Sequence, residues 1–172
     1  MPSGAPWAPA GMVEMRRVAV INGPNLNRLG RREPAVYGTM TLGQIEEMLV
    51  ARGAELGWTV ETYQSNHEGD LIDRVHAAAD DHTDGIIINP GALTHYSYAL
   101  LDALQSVDVP AVEVHISNID EREEWRRTSV TSAACVGMVK GKGPQGYVEA
   151  LELLAARTTG EASAEVRPGS RP

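Results

Sequence analysis

Short apolar segments alternate with amphipathic segments along most of this chain, and no other feature of the sequence constrains its fold as strongly. The apolar segments have the length and the β-branched content of strands, and the amphipathic segments carry apolar residues at helical spacing. The five predicted strands cover residues 18–21, 58–63, 85–89, 110–115 and 133–139. The first predicted helix begins at Thr41, and the other four cover residues 70–82, 96–107, 120–127 and 144–157.

Two of the predicted helices carry recognisable start signals. Thr41 precedes Gln44 by three residues, which is the spacing of a capping box, where each side chain bonds the other residue's backbone N–H. Pro144 suits the first position of the last helix, because the N–H that proline lacks is not needed there.

Strands that alternate with helices predict a parallel sheet with helices on both faces and right-handed crossovers. The α/β class is therefore expected, and the open flavodoxin-like strand order 2-1-3-4-5 is its most economical arrangement for five strands. In this order the switch point lies between the first and third strands, and ligands bind there, beyond the carboxyl ends of the strands.

The composition predicts one folded domain with a segment of biased composition at each end. A chain of 172 residues that is 42% hydrophobic can bury one core of ordinary size. Residues 1–15 are rich in Pro, Ala and Gly, and residues 158–172 have the same character. We expect both segments to be disordered and the single folded domain to cover residues 16–157.

Charge and cysteine content exclude several classes of function. A net charge of -8 and a pI near 5.1 argue against nucleic-acid binding, which needs a basic face. The single cysteine, Cys135, cannot form an internal disulfide or a Cys-pair metal site, and we expect it to be a small core residue. The sequence shows no signal peptide and no membrane span, so a soluble cytoplasmic protein is expected. The spacing of the five histidines predicts no metal.

Polar residues cluster after three of the predicted strands. These strands are the first, third and fourth, which are neighbours in the predicted sheet, so the clusters should converge at one edge. The residues are Asn22 and Asn25 after the first strand, Asn89, Thr94 and His95 after the third, and His115, Ser117 and Asn118 after the fourth.

Residues 28–38 form a long connection with three arginines and Tyr37. Connections of this length are commonly lids or binding loops, and the arginines favour an anionic ligand. The chain has only two lysines, Lys140 and Lys142, both beside the glycines of residues 141–146, whereas a Schiff base needs a lysine desolvated in the site. Residues 141–146 lack the Gly-Lys-Ser/Thr ending of a phosphate-binding P-loop, so we interpret them as a turn.

Three of these segments have a structural explanation as well as a functional one. Residues 89–95 could be only an elbow of Asn, Pro and Gly. His115 shares a strand face with Glu113 and is a candidate acid or base. Alternatively, His115 could be a structural histidine whose ring only forms a hydrogen bond with a neighbouring carbonyl. In the predicted helix over 120–127, Arg122 and Arg126 share one face, and Glu123 and Arg127 are paired with the same spacing of four residues. This could be only a solvated, salt-bridged face, or Arg126 could bind an anion past the strand ends.

Four motifs in unbroken order resemble the type II 3-dehydroquinate dehydratases of the shikimate route to aromatic amino acids. They are INGPNLNRLGRREPAVYG, QSNHEGDLID, NPGALTHYS, and EVHISN followed by REEWRR. The resemblance covers nearly all of residues 18–154. It implies a cofactor-independent hydro-lyase with a flavodoxin-like fold, which removes water from 3-dehydroquinate by an anti elimination through an enolate to give 3-dehydroshikimate.

The resemblance also implies a role for each matching residue. Tyr37 would be the base, Arg32 the lid arginine that stabilises its phenolate, and His115 the acid that protonates the leaving hydroxyl. Asn25 would steady the intermediate through water, and Asp102 would reach a neighbouring subunit's site. The family further implies a homo-oligomer built from trimers, expected to be a dodecamer (a tetramer of trimers). The remaining substrate contacts would be Asn89, His95, Ile116, Ser117 and Arg126.

Proteins of other classes share this fold, and the fold alone does not determine function. A flavin-binding module would be yellow when purified. A signalling receiver would need clustered aspartates after the first strand, where this chain has residues 22–25 without acids. A sensor without catalysis would bind the ligand but show no turnover.

Overall fold

A five-stranded parallel sheet with the order β2-β1-β3-β4-β5 forms the centre of the molecule. The structure is a computed structural model, and it describes residues 15–31 and 33–160. The strands are β1 (Arg16–Asn22), β2 (Trp58–Gln64), β3 (Gly85–Asn89), β4 (Ala111–His115) and β5 (Gly137–Lys140). The predicted strand order and the parallel pairing are confirmed.

Five α-helices follow or connect these strands. They are α1 (Pro34–Tyr37), α2 (Leu42–Leu56), α3 (Glu68–Asp80), α4 (Tyr98–Gln105) and α5 (Gln145–Thr159). The capping box predicted for α2 is present, because the Thr41 side chain accepts the Gln44 N–H and Gln44 accepts the Thr41 N–H. The helix α5 continues to Thr159, two residues beyond the predicted end of the domain, while residues 1–14 and 161–172 of the predicted tails lie outside the described residues.

Three predicted boundaries are wrong, and in each case a short 3₁₀ helix explains the difference. The segment predicted as one helix over 120–127 forms two 3₁₀ turns, Ile119–Glu121 and Glu124–Arg126. Its only large apolar side chain after Ile119 is Trp125, which is 55% exposed, so the segment lacks the buried stripe that stabilises an α-helix. The helix predicted over 96–107 begins only at Tyr98, after the 3₁₀ helix Gly91–His95. The start of the predicted last strand is the 3₁₀ helix Thr131–Ala134.

Two apolar layers cover the two faces of the sheet, as predicted. On one face, α2 and α5 contribute Ile45, Leu49 and Leu151 to a core cluster. On the other face, α3 and α4 contribute side chains such as Leu71 and Leu100 to a second cluster. All residues of β3 and β4 are buried, so the middle of the sheet is rigid and holds the strand ends in fixed positions.

The turns after β1 and β3 approach each other closely at the carboxyl edge of the sheet. A Cβ on Gly23 would lie 2.4 Å from the carbonyl oxygen of Pro90, so only glycine fits there. Gly23 N–H donates to the carbonyl of Asn89 at 2.8 Å, and Gly91 has a positive φ of 61° beside Pro24. This contact brings the two polar segments at the switch point together.

Candidate active site

A cavity of about 110 Å³ lies at the carboxyl ends of β1, β3 and β4. It is the predicted switch point, and it brings together polar residues from three separate parts of the sequence. Arg122 also lines it, although the sequence pattern was interpreted as placing this residue on a solvated helix face. The predicted site residues that line the cavity are Asn25, Tyr37, Asn89, His95, His115, Ile116, Ser117 and Arg126.

Two predicted site residues are not in this group. Arg32 lies outside the described residues. Asp102 lies on the exposed side of α4 and does not line the cavity of its own chain.

His115 ends β4 and is 5% exposed. Its Nε2 lies 2.6 Å from Oε1 of Glu113, so the two residues share one side of the strand as the alternation predicted. Because a carboxylate can only accept, Nε2 carries the proton in this contact. The other nitrogen, Nδ1, is then the ring position available to exchange a proton with a ligand.

Glu113 is fully buried inside an otherwise apolar strand, and three hydroxyl groups surround its carboxylate. Thr94 and Ser129 donate to Oε1 at 2.7 Å each, and Thr131 donates to Oε2 at 2.6 Å. Burial raises the pKa of Glu113, but the hydrogen bond and charge of His115, with the hydrogen bonds from Thr131 and Ser129, outweigh burial and hold the pKa below its usual range. Glu113 is therefore an ionised partner for His115.

Tyr37 ends the short helix α1 and faces Arg122 across the cavity mouth. The Nη1 of Arg122 donates to the Tyr37 hydroxyl oxygen at 3.1 Å and lies 3.3 Å from the Oγ of Ser117. The guanidinium carbon is 5.6 Å from the centre of the Tyr37 ring. This hydrogen bond raises the pKa of Arg122, so the group beside the phenol is a fixed positive charge.

Arg126 is held from two sides at the next turn. Its guanidinium stacks on the ring of Trp125, 3.9 Å from the centre, and its Nε lies 3.2 Å from Oε2 of Glu123. The same carboxylate oxygen is 3.5 Å from Nε of Arg122. The Nε of Arg126 makes this ion pair without hydrogen-bond geometry. Glu123 thus orients both cavity arginines, while Arg127, its predicted partner, donates to the carbonyl of Arg122.

His95 is held in one tautomer. Its Nδ1 donates to the carbonyl of Thr128 at 2.7 Å, which leaves Nε2 as an acceptor. Burial lowers the pKa of His95, and the charges of His115 and Arg126 lower it further against the opposing effect of the Thr128 carbonyl. The lowered pKa favours the neutral imidazole form of His95.

Asn25 is placed by an unusual backbone conformation. Its φ is +69°, in the left-handed region that asparagine tolerates better than most residues, and its N–H donates to the side chain of Asn66 at 2.9 Å. The side chain of Asn25 is exposed at the edge of the cavity. It can therefore reach a ligand directly or through water.

Residues 141–146 support the site from behind. The N–H of Gly141 donates to the carbonyls of His115 and Ser117, and the N–H of Gly143 donates to that of Ile116. Because these amides are already used, the segment is a structural turn, as interpreted from the sequence, rather than a phosphate loop. Lys140 forms an ion pair with Asp120 at 2.5 Å.

Sequence reasoning missed the contact of Arg122 with Tyr37, the donors Ser129 and Thr131 to Glu113, and Tyr147. Thr94 was expected near the cavity, but not as a donor to Glu113. A signal for the hydroxyl donors was available, since a glutamate within a buried apolar strand must find partners. No comparable signal pointed to Tyr147, whose hydroxyl bonds Asn22 and Asn89 inside the core.

Three further observations bear on chemistry. Burial, with a smaller contribution from the charge of Glu113, raises the pKa of Cys135 to about 12, so its thiol is unreactive at neutral pH. Within residues 15–31 and 33–160, no group of three or more His, Cys, Asp or Glu side chains is arranged to hold a metal ion. None of the helices in that part of the chain has the length and apolar content needed to cross a membrane.

Comparison with known proteins identifies the family. The model of the class II dehydroquinases matches residues 16–155. This chain belongs to the class II dehydroquinase family. The 3-dehydroquinate dehydratase of Caldicellulosiruptor saccharolyticus is 51% identical over 140 residues, which cover 81% of this chain and 97% of the relative. The 3-dehydroquinate dehydratase of Deinococcus radiodurans is 55% identical over 136 residues, which cover 79% and 95%.

A solved dehydroquinase structure agrees with this assignment. The crystal structure of the type II dehydroquinase from Butyrivibrio crossotus matches with a TM-score of 0.80 and 49% identity, covering 81% of this chain and 97% of that one. The resemblance noted in the sequence and the flavodoxin-like architecture are thereby confirmed, and the roles of the individual dehydroquinase site residues stay predictions.

Proposed function

We propose that this chain is a type II 3-dehydroquinate dehydratase, a shikimate-pathway enzyme that removes water from 3-dehydroquinate by anti elimination to give 3-dehydroshikimate. The observation that carries the proposal is the convergence of Tyr37 and His115 on one cavity, each paired with a group that suits its role. Tyr37 contacts a guanidinium, and His115 contacts a carboxylate. Elimination next to a ketone needs these two functions, a base for the α proton and an acid for the leaving hydroxyl.

In the proposed first step, the Tyr37 phenolate removes the α proton and an enolate forms. A phenol in water titrates at about pH 10, so a tyrosine base needs a neighbouring charge that favours its ionised form. Arg122 is such a charge at 3.1 Å. At about 4 Å and an effective dielectric constant of about 20, opposite unit charges attract by about 4 kcal/mol. Arg32, which we predict to act from the lid, would add to this effect, and Asn25 would steady the enolate oxygen through water.

In the second step, His115 protonates the leaving hydroxyl, which departs as water. An imidazolium carries a proton on both nitrogens, and the ionised Glu113 stabilises it through Nε2. Nδ1 then donates the proton to the substrate. Solvent returns a proton to His115 and removes the one held by Tyr37, so the enzyme is restored without a cofactor.

Substrate binding is assigned to the remaining cavity residues. Arg126 would hold the substrate carboxylate, because a guanidinium offers paired donors in the plane of a carboxylate. The stacking of Arg126 on Trp125 fixes that plane. Asn89, His95, Ser117 and the backbone at Ile116 would contact the ring oxygens.

We further propose a homo-oligomer of trimers, a dodecamer, in the cytoplasm, with residues 16–157 as the catalytic domain. Asp102 is exposed on α4, where Tyr98, 66% exposed, lies one turn away and Tyr96 is 62% exposed. Exposed aromatic residues of this kind are typical of subunit contacts. An Asp102 that does not reach its own cavity suits a contact to a neighbouring subunit's site.

The decisive experiment is incubation with 3-dehydroquinate while the ultraviolet absorbance of the conjugated product is recorded. We expect turnover by the wild-type chain and almost none by Tyr37→Phe, which should still bind the substrate. Substrate deuterated at one α position tests the stereochemistry, since anti elimination loses only the label trans to the hydroxyl. Absence of turnover in the wild-type chain, or loss of the cis label, would contradict the proposal.

A further inference from the structure

Three buried side chains form a hydrogen-bonded chain behind the cavity. Tyr147, at the start of α5, is 0% exposed, and its hydroxyl donates to Oδ1 of Asn22 at 2.6 Å. The same hydroxyl accepts from Nδ2 of Asn89 at 2.9 Å. Asn22 and Asn89 are register partners at the ends of β1 and β3. The hydroxyl of Tyr147 therefore links the closing helix to both strands of the switch point.

The direction of each bond in this chain is determined. A phenol has one proton, and burial raises the pKa of Tyr147, so the hydroxyl stays neutral and donates once. Since it donates to Asn22, it must accept from Asn89. The Oδ1 of Asn89 in turn accepts the N–H of Gly91 at 3.2 Å. A flipped Asn89 amide would place oxygen against the oxygen of Tyr147 and nitrogen against a backbone N–H, so both contacts exclude it.

This orientation decides what Asn89 offers to a ligand. Asn89 lines the cavity, and one of its two Nδ2 hydrogens is used by Tyr147. The remaining Nδ2 hydrogen is a donor still available to a ligand. A donor at this position suits an oxygen of a carboxylate or a hydroxyl.

We propose that Tyr147 is a positioning residue, which fixes the amide of Asn89 so that it donates to a substrate oxygen; this rests on the proposed function of the cavity. The aromatic ring of Tyr147 packs in the core with Val114 and Leu151, and a phenylalanine would meet that need. Within residues 15–31 and 33–160, the hydroxyl makes side-chain hydrogen bonds only to Asn22 and Asn89.

A second observation separates this role from a purely stabilising one. In the part of the chain that the structure describes, the buried Nδ2 of Asn22 has no hydrogen-bond partner. An unpaired buried amide is unfavourable. If the cluster served only stability, we would expect either a hydrogen-bond partner for this Nδ2 or an apolar residue in place of Asn22. What Asn22 supplies is the acceptor that orients the Tyr147 hydroxyl.

The test is a double-mutant cycle with Tyr147→Phe and Asn89→Ala. Loss of a neutral hydrogen bond in a binding site predicts that Tyr147→Phe raises KM by roughly 2- to 13-fold and changes kcat by less than about threefold. In the Asn89→Ala background the same substitution should leave KM unchanged. Tyr63→Phe, a half-buried tyrosine on β2 away from the cavity, is the matched control and should leave KM unchanged.

Two results would overturn the proposal. The first is a Tyr147→Phe protein whose melting temperature falls while KM stays at the wild-type value. The second is an equal rise in KM with and without the Asn89 side chain. If Tyr147→Phe fails to fold, Asn22→Ala replaces it, because a Tyr147 hydroxyl without its acceptor can donate to a flipped Asn89, and the same rise in KM is expected. An unchanged KM in Asn22→Ala would overturn the proposal equally.

A crystal structure of Tyr147→Phe separates this proposal from the proposed function. We expect the Asn89 amide to turn or to occupy two orientations, and an amide still in contact with Gly91 N–H in a single orientation would overturn the positioning role. That result does not depend on turnover. A wild-type chain without activity on 3-dehydroquinate would instead contradict the proposed function and leave the amide orientation measurable.

Discussion

Thr131→Val is the sharpest perturbation of the hydroxyl groups around Glu113. Thr131 is fully buried, and valine keeps its shape while removing the hydroxyl. Among the donors that the described chain offers to Glu113, Thr131 alone reaches Oε2, at 2.6 Å, whereas Thr94, Ser129 and His115 reach Oε1. The substitution therefore leaves one buried carboxylate oxygen without a donor.

The expected cost follows from the charge of the acceptor. A hydrogen bond to a charged group contributes about 1.5 to 3 kcal/mol to stability, so Thr131→Val should lower the free energy of unfolding by that amount at pH 7. The pKa of Glu113 is held below its usual range in the folded protein. Its contribution to stability is thus complete above the unfolded value of about 4.3 and is lost as the pH falls through the folded pKa.

The variant should respond less to acid than the wild-type protein does. With one donor removed, the pKa of Glu113 in the folded variant moves back up, and less of the stability depends on its ionisation. The difference in unfolding free energy between wild type and Thr131→Val should therefore be largest near pH 7 and shrink below about pH 4.

Urea unfolding at a series of pH values, at one fixed protein concentration, measures this difference. Thr83→Val is the matched control, because Thr83 is buried and its hydroxyl has no partner in the described chain. It should be neutral or stabilising at every pH. A cost for Thr131→Val that is the same at all pH values, or no larger than that of the control, would refute the reasoning.

The remaining predictions concern catalysis and are read from steady-state kinetics. Arg122→Met should lower turnover at pH 7 by at least about 100-fold, and part of the lost turnover should return near pH 10, where a phenol ionises unaided. If turnover falls equally at all pH values, Arg122 does not activate the base. Arg32→Ala should depress turnover more than substrate binding. An unchanged turnover would exclude Arg32 from the mechanism. His115→Ala should lower turnover by about 10²- to 10⁴-fold, whereas Arg126→Ala should mainly raise KM. If His115→Ala mainly raised KM and Arg126→Ala mainly lowered turnover, the two role assignments would be wrong. Asp102→Ala should weaken substrate binding in the assembled protein, and sedimentation of a fully active monomer would contradict the subunit contact.

The parts of the structure that the sequence predicted well depend on local periodicity. Strand and helix patterns recur within a few residues, and the rule that ligands bind beyond the strand ends at a switch point needs only the strand order. These two facts were enough to bring Asn25, Asn89 and His115 to one cavity. The boundaries that failed are places where hydroxyl and charged side chains form 3₁₀ turns, as at Thr131–Ala134.

The partners of Glu113 show why other parts could not be predicted. A carboxylate within the largely apolar strand β4 indicates that hydrogen-bond donors must lie nearby. The donors are Thr94, Ser129 and Thr131, which are 16 to 19 residues away along the chain. No local pattern marks them, since threonine and serine are common in surface turns. Their role depends on how the segments after β3 and β4 fold over the strand.

Arg122 is the most informative of these residues, because the sequence analysis noticed its spacing but assigned it to an α-helix that the structure does not have. Its spacing from Arg126 suggested one face of an α-helix, for which a salt-bridged surface was the ordinary explanation. In the structure, i to i+3 bonds replace the α-helix, and Glu123 lies between the two guanidinium groups. One arginine then contacts Tyr37 and the other stacks on Trp125. Two like charges that a regular helix would have left in solvent thereby line one cavity. In the proposed function one of them would support the base and the other would bind the substrate carboxylate.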